Sequence, residues 1–343
     1  MSTQKRRNSV LRHVALAAGV SVGLSTAAMA AEGGASFYLP GINGPMAGFL
    51  PPEGVYFDNS TYFYDGSLRG GRQTLIGGNV AIDVKADIWA NFATGIWVTP
   101  LEVLGGNFAV SATLPFGQPT VSAGGILNGP LINQVVGRPI AVSARDSILN
   151  IGDPVFTSMI GWHSGNWHWK VAAAVSIPAG AYQPGQLSNL ALNRWVGDFS
   201  AGLTYFDPST GWDLSTVAGF TVNGMNPATD YRTGNEFHID GAITKNLTKE
   251  LSVGAIVSHY QQLTGDSGSG ARVGSFKGRT TAVGGTISYT FPLGQVPVTT
   301  RVKVLREVDV VNRARGTIGW LQISLPLWVP QAPKAPQVVS ARY

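Results

Sequence analysis

From residue 54 onward, apolar and small polar positions alternate along the chain. In 281–291, Thr281, Val283, Gly285, Ile287, Tyr289 and Phe291 alternate with Ala282, Gly284, Thr286, Ser288 and Thr290. In 167–178, Trp169, Val171, Ala173, Val175 and Ile177 alternate with His168, Lys170, Ala172, Ala174 and Ser176. A period of two belongs to strands with two unlike faces. It predicts twelve of them, near 55–65, 86–99, 105–116, 155–164, 167–178, 194–206, 212–223, 235–246, 251–263, 278–291, 296–308 and 314–327.

The connections alternate in length. Those near 100–104, 165–166, 207–211, 247–250 and 292–295 are short, and those near 66–85, 117–154, 179–193, 224–234 and 264–277 are long. Only the last, near 309–313, is modest. Short turns at one end and long loops at the other are the pattern of an up-and-down membrane barrel. The polar face points the same way. It is dominated by Gly, Ala, Ser and Thr, which suits a lumen wall, whereas the outer face of a soluble sheet carries longer charged side chains. The expected fold class is all-β, a transmembrane up-and-down antiparallel β-barrel of about twelve strands spanning 54–328. An even strand number puts both termini on the periplasmic side of a Gram-negative outer membrane. Trp97, Trp162, Trp167, Trp169, Tyr205, Phe206, Trp212 and Phe291 gather near the short turns, as an interfacial girdle does.

Composition narrows the alternatives. Charged residues make up 13% of the chain, about half the share usual in soluble domains. Residues 1–30 carry Lys5, Arg6, Arg7 and Arg12, a short apolar run, and Ala28-Met29-Ala30, which reads as a secretory signal with its cleavage site. Beyond it no apolar run is long enough for a membrane helix. Four of the 24 basic residues belong to this signal, leaving 20 against 19 acidic ones. Without net positive charge, no nucleic-acid partner is expected. The chain has no cysteine, so thiolate chemistry is excluded. No cofactor is expected.

Candidate chemistry is sparse. A Gly165-Asn166 turn would face His163 with His168 across a hairpin, but two ligands fall short of a zinc site. No Gly-x-Ser-x-Gly elbow suggests a hydrolase, and a non-enzymatic role is expected. The lumen face carries Lys170, Asp198, Asp213, Asn223, Glu236, His238, Asp240, Arg301 and Lys303. Their mixed signs do not make a charge-selective ring. Asn193, Asn226, Asp230, Tyr231, Gln261, Gln262, Asp266 and Arg279 lie near the long loops and could form an outer vestibule or ordinary loop ends. Residues 31–53 are rich in Gly and Pro, yet carry Phe37, Tyr38, Phe49 and Leu50. An exposed tail would be polar, so this segment is expected either to fold into the lumen as a stopper or to lie along the periplasmic rim. Residues 329–343 form a Pro-rich periplasmic tail.

Seven short stretches in order, from Leu50-Pro51-Pro52-Glu53-Gly54-Val55-Tyr56 through Gly152-Asp153-Pro154, Ile160-Gly161-Trp162-His163, Pro178-Ala179-Gly180-Ala181-Tyr182, Asn226-Pro227-Ala228-Thr229-Asp230-Tyr231-Arg232-Thr233-Gly234 and Tyr260-Gln261-Gln262-Leu263-Thr264-Gly265-Asp266 to Asn312-Arg313-Ala314-Arg315-Gly316, resemble the SphA-like family. That family is assigned to transport in the meta-pathway of phenol degradation. The chain departs from it at Ala179, where many relatives have Thr. The resemblance implies an outer-membrane barrel for uptake of aromatic or other hydrophobic compounds. The function expected is a monomeric, lipid-embedded passive channel for such solutes. The alternatives are a general porin for hydrophilic solutes, a structural barrel without an open pore, and a barrel enzyme.

Overall fold

The computed structural model describes residues 31–68, 73–76, 79–127, 140–272 and 274–330. The expected signal peptide and the expected tail beyond Pro330 lie outside the described residues. Twelve antiparallel strands close into one barrel. They are β1 (Gly54–Ser67), β2 (Lys85–Val103), β3 (Gly106–Leu127), β4 (Val155–Ser164), β5 (Trp167–Ser176), β6 (Val196–Asp207), β7 (Trp212–Asn223), β8 (Glu236–Asn246), β9 (Leu251–Gln262), β10 (Arg279–Leu293), β11 (Val296–Val311) and β12 (Arg315–Trp328). Each pairs with its neighbours in sequence. Pairing of β1 with β12, from Val55 opposite Trp328 to Ser67 opposite Arg315, closes the wall.

The strands fall where the alternation puts them, with one large departure. The sequence places 117–154 in a loop, but β3 continues to Leu127 and pairs there with Ile140–Ser147 and Asn150–Ile151. Gly117 and Pro119 read as strand breakers. They are tolerated because this half of β3 is held on both flanks, by Lys85–Asn91 of β2 on one side and the added strands on the other. Two further small hairpins, Gln73–Ile76 with Asn79–Ile82 and Met225–Asn226 with Tyr231–Arg232, decorate the same long-loop end.

The two faces of the wall differ as the pattern requires. Phe199, Leu203, Val171, Val175, Val257, Val283 and Ile287 are exposed on the outside. Their neighbours Asp198, Thr204, Ser258, Thr286 and Ser288 are buried inside. An apolar exterior around a polar interior suits hydrocarbon surroundings. At the short-turn end the outer aromatics pair: Trp162 stacks on Trp169 and Tyr289 on Phe291 (each 6.3 Å between centroids), and Trp167 packs tilted against Tyr205 (5.0 Å).

The interior is filled. Leu39 and Ile42 pack against a cluster of inward apolar side chains that includes Tyr62, Ile256, Leu305, Ile318 and Trp320. Leu50 packs against Val98 and Ala109. Gly48 lies directly on the wall. A Cβ there would meet the Thr204 nitrogen at 2.6 Å and the His168 oxygen at 2.7 Å, both backbone atoms, so only glycine permits this approach.

Candidate functional site

Residues 31–53 run up the lumen from Gly54, at the short-turn end of β1, and are bonded to the wall along their course. Near the turns the Phe49 ring sits 5.3 Å from His163 and 5.1 Å from His168. The two histidine Nδ1 atoms are 2.7 Å apart, so one ring donates to the other and the acceptor ring is unprotonated at that nitrogen. Above them Gly48 N donates to Thr204 Oγ1 (2.9 Å) and Met46 N to Asp213 Oδ2 (2.8 Å). Lys303 Nζ donates to the carbonyl of Ile42 (3.0 Å), and Trp320 Nε1 to that of Pro40 (3.1 Å).

The buried Asp240 carboxylate is the most heavily used anchor. It accepts from Tyr38 OH (2.6 Å), Gly41 N (3.2 Å), Asn43 N (3.4 Å) and Asn43 Nδ2 (3.0 Å), and from Ser258 Oγ on the wall (2.5 Å). Tyr38 also stacks on His238, with ring centroids 4.2 Å apart. At the long-loop end Asn226 Nδ2 donates to Glu32 Oε2 (2.8 Å), and Ala31 N donates to Asp266 Oδ2 (3.0 Å). Burial pushes the Asp266 carboxyl above the usual range, while hydrogen bonds from Tyr231, Gln262, Gly234 and Ala31 draw it back.

The candidate residues therefore divide into groups. Asp213 and Lys303 hold the segment, and His163 and His168 cushion it. Asp198 instead binds inside the wall, accepting from Thr221 Oγ1 and lying 2.9 Å from His238 Nε2. Asn223 accepts from Arg194 Nε and donates to the Gly234 carbonyl. Arg301 Nε donates to Ser288 Oγ, and Lys170 also faces inward. Of the vestibule candidates, Asn193, Asn226, Tyr231, Gln262 and Asp266 gather around Ala31 and Glu32. Asp230 stays exposed and accepts from Ser269. Gln261 and Arg279 do not join the vestibule. They sit on the outer face, because Gln262 and Thr280, their neighbours in β9 and β10, take the inner one. Asp240 lies on the lumen face as expected, but nothing in its spacing reveals an anchor. Tyr62, Leu305 and Trp320 escape a rule that sends apolar side chains outward. The signal that could have found them is parity with inward neighbours: Leu305 shares a face with Lys303 on β11, Trp320 shares one with Gly316 on β12, and Tyr62 stands opposite Trp320.

Two small chambers lie between the segment, the wall and the covering loop 177–195. That loop is folded around the buried Asp153 carboxylate, which accepts from the backbone nitrogens of Gly180, Leu192 and Asn193. The outer chamber, about 100 Å³, is lined by Glu32, Ile76, Val121, Tyr182 and Arg194 among others. The inner chamber, about 150 Å³, lies between Phe37, Leu39, Tyr62, Phe92, Leu190 and Pro115. Ile88, Pro119, Asn189 and Leu192 border both. Larger grooves on the outer wall are lined mainly by outward side chains such as Leu203, Val257 and Phe199. Among the described residues no three His, Asp or Glu side chains are grouped to hold a metal ion.

The fold is similar to that of an outer membrane channel from Pseudomonas putida F1, with 16% identity over 80% of this chain and 96% of that one and a TM-score of 0.61. A FadL homologue from Pseudomonas aeruginosa aligns at 10% identity over 83% of this chain and 92% of that one, with a TM-score of 0.42. No curated protein matches the chain. Residues 70–323, most of its length, match the family described as "Putative MetA-pathway of phenol degradation", and the chain belongs to that family.

Proposed function

We propose that this protein is a monomeric channel of the Gram-negative outer membrane that passes small hydrophobic, aromatic compounds by diffusion. Residues 31–53 act as a stopper that such a solute displaces or slides past. The observation that carries this reading is the inner chamber. A cavity of about 150 Å³, lined mostly by aliphatic and aromatic side chains with Ser36, Asp153, Ser176 and Asn189 at its border, holds a benzene-sized molecule. Most of the remaining lumen is bridged by hydrogen bonds between wall and segment, which leaves a poor path for hydrophilic solutes and makes a general porin the weaker alternative. The family's association with phenol degradation supports the same solute class. Alternating connection lengths support an orientation with the long loops outside and both termini in the periplasm.

Uptake of labelled phenol by cells that express the protein, compared with cells that lack it, tests the reading. Leu190→Trp fills the inner chamber and should abolish the difference while leaving a folded barrel. Equal uptake with and without the wild-type protein refutes the channel. Uptake unaffected by Leu190→Trp removes the chamber from the path.

A further inference from the structure

The backbone nitrogen of Ala31 has no part in the passage of a solute. The signal sequence predicts cleavage between Ala30 and Ala31. Ala31, the residue that cleavage would place first, is 1% exposed, and its backbone nitrogen points at Asp266 Oδ2, 3.0 Å away. Asp266 is 2% exposed. Its other oxygen accepts from Gly234 N (3.1 Å) and Gln262 Nε2 (2.6 Å), both neutral donors. None of the ion pairs among the described residues includes it. A buried carboxylate without a cation is costly. Glu32, also buried, is held by Asn226, which is in turn held by Asn193. These groups make a built socket at the long-loop end, opposite the end where the segment joins β1.

We propose that signal removal creates the ligand of this socket: the new α-ammonium of Ala31 forms a buried ion pair with Asp266 and latches the stopper in place. Hydrolysis of the Ala30–Ala31 peptide bond consumes one water. It leaves a carboxylate on the released signal and an amine on Ala31, whose ordinary pKa of about 7.7–8.0 keeps it protonated at neutral pH. The peptide nitrogen of an uncleaved chain carries no charge. That chain would also have to pass thirty further residues through the lumen ahead of Ala31. Only the processed chain can therefore complete the latch, and cleavage precedes plugging. This inference rests on the stopper reading of residues 31–53.

The test uses the full mature protein, folded and purified from membranes. Intact mass should show a chain beginning at Ala31. An acylating reagent at near-neutral pH, with the N-terminal peptide quantified by mass spectrometry, reports access to the α-amine. In the folded wild type, labelling should be slower than in the urea-unfolded chain by about a hundredfold or more, since it must await local opening. Asp266→Asn, and a chain with Gly-Ser inserted between Ala30 and Ala31, should label near the unfolded rate while keeping the gel mobility of a folded barrel. The latch is overturned by a mature chain that starts elsewhere, by wild-type labelling at the unfolded rate, or by equal protection in folded Asp266→Asn. The wild-type comparison decides the question even where a variant fails to fold. Conductance separates this result from the stopper itself. Deletion of residues 33–49 that raises conductance, together with a freely labelled wild-type amine, removes the latch and keeps the stopper. A protected amine with unchanged conductance on deletion removes the stopper.

Discussion

Asp240→Ala should loosen residues 31–53 from the barrel wall. Asp240 is 1% exposed and receives four hydrogen bonds from the segment, of which the Tyr38 hydroxyl and the Asn43 amide contribute side-chain donors. A hydrogen bond to a charged group contributes about 1.5–3 kcal/mol. Losing the two side-chain bonds alone costs about 3 kcal/mol, and the backbone donors of Gly41 and Asn43 add to it. Three kcal/mol is about a hundredfold in the balance between seated and displaced segment. The wall is spared, since among the described residues the Asp240 side chain is hydrogen-bonded to it through the Ser258 hydroxyl alone. Single-channel recordings in planar bilayers should show higher mean conductance and more frequent opening. Asp240→Asn should fall between, because it keeps an oxygen for Tyr38 but turns an amide toward the remaining donors. A folded Asp240→Ala barrel with wild-type conductance and wild-type gating would falsify the assignment of Asp240 as the anchor.

Two further outcomes test orientation and faces. Cysteine at Ser267 should react with an impermeant thiol reagent in intact cells and cysteine at Thr248 should not, both positions being exposed in the folded chain; the reverse pattern inverts the topology. Ile287→Arg places a charge on the exposed outer face and should cost about 2–4 kcal/mol of barrel stability near the bilayer midplane. Lys303→Leu should keep the barrel folded and instead release the Ile42 and Asn43 carbonyls, so that urea titration separates the two variants and conductance changes only in the second.

The wall was legible because a membrane barrel writes its geometry into the chain twice, once as alternation and once as connection length. β5, expected at 167–178, runs from Trp167 to Ser176, and β7 matches its expected range from Trp212 to Asn223. What alternation cannot show is partnership across the lumen. Asp213 and Asp240 read alike as polar wall positions, and only the path of residues 31–53 makes them acceptors for Met46 and Tyr38. The outer half of β3 was hidden for a different reason. Its Gly117 and Pro119 are poor strand formers in isolation, and tertiary pairing on both flanks overrides them. The vestibule candidates came from proximity to loops, which ignores facing. That is why Gln262 belongs to the site and Gln261 does not.

The junction between β1 and β12 joins the two ends of the barrel sequence, the pairing with the greatest loop-closure cost. It is the natural place for the cylinder to part. The filled interior lies across it. Tyr62 on β1 packs on Trp320 of β12, with ring centroids 4.8 Å apart, and Trp320 in turn donates to the carbonyl of Pro40, while Leu39 and Ile42 cover the same cluster. The segment is thus an internal clasp over the seam. A barrel deprived of it keeps every inter-strand hydrogen bond, yet should unzip first along β1 and β12 and do so at a lower temperature.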